Sequence, residues 1–474
     1  MKDKLVESIT SRDVDFAKWY TDVVKKADLV DYSSVKGSMI IRPYGYAIWE
    51  NMVSILDKMF KETGHENVQM PMFIPESLFN IEKEHVSGFA PEVAVVTHGG
   101  KDVLEENMIV RPTSEVLFCD HYKKIIKSYR DLPILYNQWC TIVRWEKTTR
   151  PFLRSREILW QEGHTMHETE SEAIAETLKM LNIYKTFQED YLGIPVIVGP
   201  KSEKEKFAGA KKTYSLEAMM YDGVALQNGT SHYFGQGFAK AFGIEFLDRD
   251  NKLQTPYQTS WGVTTRMIGA LIMVHSDDNG LVLPPNIAPT KIMIIPIKND
   301  EKVTEVINKL EIDLKKENIT YKIDNSDKTP GFKFAEAEVK GYPIRIEIGP
   351  RDLENNEVTI VRRDTLEKIK VSKEEVLDKV KELLVTIQKD MYNKALKRRN
   401  EMIYEASNYE EMNELSKKPG FIKVNWCEDE TCENKIKEEL GLKSRCIIED
   451  EKPNGKCVYC GKDAKVKIYF GRQY

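Results

Sequence analysis

Four arginines, Arg144, Arg150, Arg154 and Arg156, fall within thirteen residues of one another, beside Trp145 and Phe152. A guanidinium forks onto a carboxylate or a phosphate through two parallel N–H bonds, so this density reads as an anion site. In Arg144-Trp145-Glu146 a cation and an anion stand two apart. On a strand both would share a face, and Glu146 could accept from an adenine amine. Taken alone, such a triplet is as well a solvated pair on an edge strand. A further cation, Arg266, follows Ser260-Trp261-Gly262-Val263-Thr264-Thr265 and opens an apolar helix. A helix amino terminus with two threonines is a seat for phosphate. The other reading is an ion pair with a carboxylate elsewhere, since a lone arginine among apolar residues is costly.

The run from Arg156 to His164 reads as a strand, with Arg156, Ile158, Trp160, Glu162 and His164 on one face. Glu and His beside Trp on a shared face line a site more readily than a dry core. Five of the seven cysteines lie near the carboxy end. Cys427-x4-Cys432 and Cys457-x2-Cys460 form two close pairs, which suits a tetrahedral structural zinc with no open position. Four unrelated buried cysteines is the alternative. Cys446 has no clear partner. An odd cysteine count with a polar start (Met1-Lys2-Asp3-Lys4) argues against a disulfide framework and a secretion signal, and makes the cytoplasm the default location.

These residues need elements to hold them. With 474 residues, 41% hydrophobic and 31% charged, two or three soluble domains are expected. No apolar run is long enough for a membrane span. The net charge of −5 argues weakly against a nucleic-acid partner, but binding is local; Lys394, Lys397, Arg398 and Arg399 cluster, although by themselves they read as a solvated helix face. Spacing predicts a helix over 11–27 capped by Ser11, and a second from Pro43 to Gly64 with the stripe Ile48, Met52, Ile55 and Met59. A strand ends at Met70-Pro71. Strands follow at 108–110, 141–145 and 156–164, then a helix capped by Thr169 and Glu172, strands near 195–199, 213–220 and 223–229, and a buried helix over 263–275. After a linker at 283–289, strands and helices alternate as in an α/β domain with a largely parallel sheet. Ser372 and Glu375 cap a helix toward 400, and a small cysteine-bearing unit closes the sequence.

The order of these motifs resembles the class II aminoacyl-tRNA synthetases. The helix from Pro43 with its strand resembles motif 1, the dimer interface. Arg144-x-Glu146, the loop and Arg154 resemble motif 2, and Gly262-x-x-x-Arg266 resembles motif 3. Five further stretches are similar to the prolyl-tRNA synthetases: Arg111-Pro112-Thr113-Ser114-Glu115, Trp160-Gln161-Glu162-Gly163-His164, Lys206-Phe207-Ala208-Gly209, Gln227-Asn228-Gly229-Thr230-Ser231-His232, and Trp261-Gly262 before motif 3. The match continues through Gly341-Tyr342-Pro343 and Gly349-Pro350-Arg351-Asp352 into the cysteine unit.

The resemblance implies an α+β catalytic domain on an antiparallel sheet (1–286), an α/β anticodon-binding domain (287–390) and a small α+β zinc-binding domain (391–474). It implies activation of L-proline by ATP and transfer to tRNA(Pro), by a homodimer that uses Mg²⁺ with ATP. Thr113, Glu115, Arg144, Trp160, Glu162, His164, Phe207, His232, Trp261 and Gly262 would hold proline. Arg144, Glu146, Arg154, Ser155, Gln227, Thr230, Thr264 and Arg266 would hold ATP, with Arg144 and Arg266 catalytic and Gln227 near the Mg²⁺. Only about one hundred residues separate Arg156 from Gly262, too few for the editing insertion of many bacterial relatives. The tail resembles the archaeal and eukaryotic type, which implies that the Tyr474 carboxylate docks on the catalytic domain. Threonyl or glycyl specificity, a catalytically dead paralogue, and a generic binding role for the α/β domain are the competing readings.

Overall fold

The computed structural model describes residues 9–85 and 92–474; the polar start Met1 to Lys4 lies outside them. A seven-stranded sheet organises the first part of the chain. Its order is Glu66–Asn67, Ile134–Val143, Glu157–His167, Tyr257–Thr264, Ala225–Gly235, Lys212–Met219 and Val196–Pro200. Every pairing is antiparallel except that of Glu66–Asn67. Alternation gives the sheet two distinct faces. One packs on the helix Glu170–Thr186, where Tyr184 donates to Gln161 at 2.5 Å and Ser231 to the Thr177 carbonyl at 2.7 Å. The other carries polar rows in register across the strands. His164 pairs with Ser260, Ser260 with His232, and His232 with Thr213, while Gln138, Glu162, Gly262 and Thr230 form the next row.

Local chemistry sets the flanking helices. The helix Pro43–Glu62 starts with proline at its first turn and ends before Gly64 at φ +85°. It buries Ile48, Met52, Leu56 and Phe60, so the stripe drifts one residue from the expected Ile55 and Met59. The first helix is shorter than expected. It spans Phe16–Lys26 and is capped by Asp15, because Ser11 instead opens a turn whose carbonyl accepts from Val14 and Asp15. Thr169 and Glu172 form the expected capping box. The strand expected at 108–110 is Asp102–Val110, in a separate three-stranded sheet with Phe73–Pro75 and Ala94–Gly99. The helix expected over 263–275 begins only at Arg266, because Tyr257–Thr264 remains in the sheet. From Met267 to Val274 it is buried on all sides.

After residue 290 a second unit forms around a five-stranded sheet ordered Tyr321–Ile323, Ile292–Pro296, Ile344–Ile348, Glu357–Arg362 and Lys368–Ser372. Two of its pairings are parallel and two antiparallel, so the sheet is mixed rather than largely parallel. The antiparallel half is the hairpin of the strands Glu357–Arg362 and Lys368–Ser372. Ser372 bonds the Glu375 carboxylate and not the helix backbone, and the helix runs Val376–Glu401. The last unit is a four-stranded sheet, Ile403–Ala406, Phe421–Trp426, Val466–Gly471 and Lys443–Ile448, with the helix Glu430–Leu440. It packs against the far edge of the seven-stranded sheet. A Cβ on Gly199 would come within 2.3 Å of the Ile447 carbonyl, which shows how near the two backbones run.

Candidate active site

A cavity of about 240 Å³ opens on the polar face of the seven-stranded sheet. Its acceptor end is built on two carboxylates. Glu115 opens the helix Glu115–Ile125 and accepts from the Thr113 hydroxyl at 2.5 Å. Glu162 accepts from Ser114 Oγ (2.5 Å) and Gln138 Nε2 (2.6 Å), and His164 Nε2 lies 3.0 Å from its other oxygen. Burial would raise both carboxyls. For Glu162 the His164 hydrogen bond and charge, with Ser114 and Gln138, outweigh burial and hold it down at about 2. For Glu115 burial wins, helped by the Glu162 charge and opposed by His164 and Thr113, and the carboxyl is pushed up. The two carboxylates thus differ in basicity because only one is fully hydrogen-bonded. Phe207 and His232 close this end, with ring centroids 4.8 Å apart. His232 Nδ1 sits 3.0 Å from Thr213 Oγ1, and burial pushes its ring down to about 3, so it stays neutral.

The other end is cationic. Arg144 lies half-buried, with its Nε donating to the Pro112 carbonyl at 3.1 Å and its guanidinium 5.1 Å over the Trp160 ring. Arg266 donates to the carbonyls of Leu153 and Gln227, both at 3.3 Å, and its backbone N–H donates to Thr264 Oγ1. No carboxylate pairs with it among the described residues, so the ion-pair reading of its burial has no support. Burial pushes it down to about 10, with Arg144 and Arg154 adding to the shift. Both guanidiniums line one cavity, and among the described residues neither has a carboxylate in ion-pair contact, so they are poised for an anion.

Thr113, Glu115, Arg144, Ser155, Trp160, Glu162, His164, Phe207, Gln227, Thr230, His232, Thr264 and Arg266 all line this one cavity. Glu146 and Arg154 do not; they stand 3.8 Å apart outside it. Arg144 and Glu146 do not share a strand face, because the strand ends at Val143 and the Glu146 N–H turns back to the Arg144 carbonyl. Arg156 also lies outside, reaching the Lys36 carbonyl with its guanidinium over Trp145. Trp261 lines the cavity but cannot wall it with its ring. It pairs with Gly163, so its indole points to the opposite face from Glu162, packed on Phe60 and His65. Gly262, in the row of Glu162 and Thr230, leaves the cavity floor bare.

Sequence reasoning missed Gln138, which shares the face of Glu162 by strand pairing, and Lys201, a buried ammonium on the cavity wall. Arg111 ties the Met70 and Thr141 carbonyls and takes no part in the cavity. Tyr474 docks on the catalytic sheet through its N–H to the Ala225 carbonyl and its hydroxyl to Asp222, and is not among the lining residues.

Remote from the cavity, the sulfurs of Cys427, Cys432, Cys457 and Cys460 lie within 4.8 Å of one another. Cys427 Sγ is 3.7 Å from Cys432 and 3.6 Å from Cys460. A tetrahedron of thiolates about 2.3 Å from zinc has edges of about 3.8 Å, so the set fits that ion. Gly461, at φ +69°, turns the chain after Cys460. Cys446 lies apart, 3.5 Å from Ser215 Oγ.

Residues 97–275 match the family described as the tRNA synthetase class II core domain (G, H, P, S and T), 291–383 the anticodon binding domain, and 409–474 the prolyl-tRNA synthetase C-terminal family. Proline–tRNA ligase 2 of Bacillus cereus is 58% identical over 477 residues, covering all of both chains. Proline–tRNA ligase of Clostridium novyi is 59% identical, covering 100% of this chain and 99% of that one. A crystal structure of prolyl-tRNA synthetase from Cryptosporidium parvum complexed with L-proline and AMP superposes with a TM-score of 0.94 at 40% identity, over 98% of this chain and 97% of that one. A second, complexed with halofuginone and AMPPNP, gives 0.95 at 41%, over 98% and 99%. With end-to-end identity of this order laid over a class II core, the chain belongs to the prolyl-tRNA synthetases, the proline–tRNA ligases of class II.

Proposed function

We propose that the cavity activates L-proline with ATP and then transfers the prolyl group to tRNA(Pro), with the two cavity ends dividing the work. The observation that carries this reading is the placement of a paired-carboxylate end and an unpaired-arginine end in one cavity. Proline brings a secondary ammonium with two N–H donors. Glu115 and Thr113 accept from it; Glu162, locked by Ser114, Gln138 and His164, supplies charge behind them. Phe207, Trp160, His164 and His232 wall the small ring. The Gly262 floor admits the substrate. Arg144 lies between the ends, over Trp160, and bridges the prolyl carboxylate and the α-phosphate.

Attack of the carboxylate oxygen on the α-phosphorus forms the C–O–P link of prolyl-adenylate and releases pyrophosphate. No protein nucleophile is needed; positioning and charge stabilisation suffice. Arg266, with Gln227, Thr230 and Thr264, holds the polyphosphate. Arg154 and Glu146 join from the mouth, where Glu146 receives adenine and Ser155 flanks it. Mg²⁺ would neutralise polyphosphate charge. Gln227, which lines the cavity beside Arg266, would be the protein's donor to an ion carried in by ATP. The four cysteines would hold zinc, which fixes the C-terminal fold. The terminal ribose hydroxyl of tRNA then attacks the adenylate carbonyl, and AMP leaves.

We assign domains to 1–286, 287–390 and 391–474, the last limit falling within the helix Val376–Glu401 that joins the two units, with anticodon recognition in the second. The helix Pro43–Glu62 and its strand form a homodimer interface; light scattering should give twice the 54.8 kDa chain mass. No helix of the described residues is long and apolar enough to cross a membrane; we place the enzyme in the cytoplasm. Pyrophosphate exchange across the twenty amino acids tests the function. Exchange with proline well above all others is expected; exchange led by threonine or glycine, or none at all, would overturn it.

A further inference from the structure

The C-terminal unit reaches into the catalytic sheet with one charged side chain. Arg445 lies on the strand Lys443–Ile448 and Glu217 on the strand Lys212–Met219, and both side chains are wholly buried. Arg445 Nη1 approaches Glu217 Oε2 at 3.4 Å, while its Nη2 donates to Gln473 Oε1 at 3.0 Å. The other Glu217 oxygen accepts from Lys201 Nζ at 3.0 Å and Ser215 Oγ at 2.9 Å. Two domains therefore share one buried carboxylate. A second buried acidic group at this contact, Glu433, is held by Ser202 and Ser444.

What lies beside this carboxylate gives it a use. The strand bulges between Ser215 and Glu217, and Glu217 pairs across it with Gln227. Gln227 lines the cavity, and its carbonyl accepts from Arg266. Lys201, the other cation on Glu217, lines the same cavity. A bulge leaves the ladder locally unpinned, so the side-chain bonds of Glu217 set where this stretch sits. The charge of Glu217 also opposes the effect of burial on Arg266.

We propose that Arg445 is a positioning residue for the ATP end of the active site, acting from the C-terminal unit through Glu217 on Gln227, Arg266 and Lys201. Its guanidinium holds the Glu217 carboxylate in place, and with it the bulged strand against which the polyphosphate site is built. The two carboxylates of the proline end sit on the strand Glu157–His167 and the helix Glu115–Ile125 and not on the bulged strand, although the Lys201 N–H also donates to the Thr213 carbonyl beside His232. The C-terminal unit is thereby a working part of the catalytic site as well as an appendage to it. The proposal rests on the assignment of Gln227 and Arg266 to ATP.

The test uses the full-length protein and proline-dependent pyrophosphate exchange, with ATP and proline varied in turn and active sites titrated. Arg445→Met should raise KM for ATP about tenfold, the scale of one lost coupling between adjacent charges, with KM for proline changed less than about twofold. Arg445→Lys should recover most of the ATP affinity. Should Arg445→Met fail to fold, Gln473→Ala, which frees one end of the guanidinium, should raise KM for ATP by about threefold. Equal changes in both KM values, a loss only in the titratable fraction of enzyme, or unchanged ATP affinity in all folded variants would overturn the proposal. Wild-type exchange, measured alongside, tests the ATP-site reading separately: normal wild-type exchange with unaffected variants sinks the proposal alone.

Discussion

Arg144 meets the acceptor end and the cationic end of the cavity at once, and it is held there by the Pro112 carbonyl and the Trp160 face. A point charge of the same sign would keep neither contact geometry, because only the planar guanidinium forks and stacks. Arg144→Ala is expected to cut exchange by about 10²–10³-fold, the scale of losing one preorganised charge donor, with the circular dichroism spectrum unchanged. Wild-type rates in that variant would remove Arg144 from the reaction. The two carboxylates make a pH prediction. Glu162, held at about 2, stays ionised across the working range, whereas Glu115 is raised and protonates first as pH falls. A protonated Glu115 loses its charge for the prolyl ammonium. The kcat/KM for proline should therefore fall on the acid side at a pH above the ordinary carboxylate value, since this ratio reports the free enzyme. Glu115→Gln should lower the plateau and abolish that acid limb; an acid limb that survives the substitution would assign it to another group.

Along an element, period-two alternation made Trp160, Glu162 and His164 legible as one face of a strand, and the structure sets all three in the cavity. Trp261 shows where that reasoning stops. Alternation sorts residues within a strand, but only pairing across strands says which face is which. Trp261 pairs with Gly163 and so lies behind the sheet, while its neighbour Gly262 lies in front. The Arg144-x-Glu146 reading failed for another reason, a turn at the strand end that nothing in the triplet announces. Gly163 has its own role in this packing. A Cβ there would sit 2.1 Å from the Trp261 ring, and the ring is already held by Phe60 and His65. Gly163→Ala is expected to cost about 1–3 kcal/mol in urea unfolding, the range for overpacking a filled core. It should also displace Glu162 and raise KM for proline. An alanine variant as stable as wild type would mean that the indole has room to move.

Across the whole molecule, the cysteine set was readable because its ligands come in two close pairs, each within a few residues. The Lys201–Glu217–Arg445 contact was not, because no local pattern links charges that far apart in sequence. Metal analysis of the purified protein should find one zinc per chain. Cys457→Ser should release it and lower the melting temperature, since the binding energy of a structural zinc is folding energy. Wild-type protein free of zinc would overturn that reading. The contact of Arg445 with Glu217 also bears on how the molecule is made. Arg445 is synthesised 228 residues after its partner. At 5–20 residues per second, roughly 10–50 s pass between them on the ribosome. During that interval the Glu217 carboxylate has only one of its two cations. A nascent or prematurely terminated chain then holds the proline end but a loose polyphosphate end, so aminoacylation competence arrives only with the final stretch of translation.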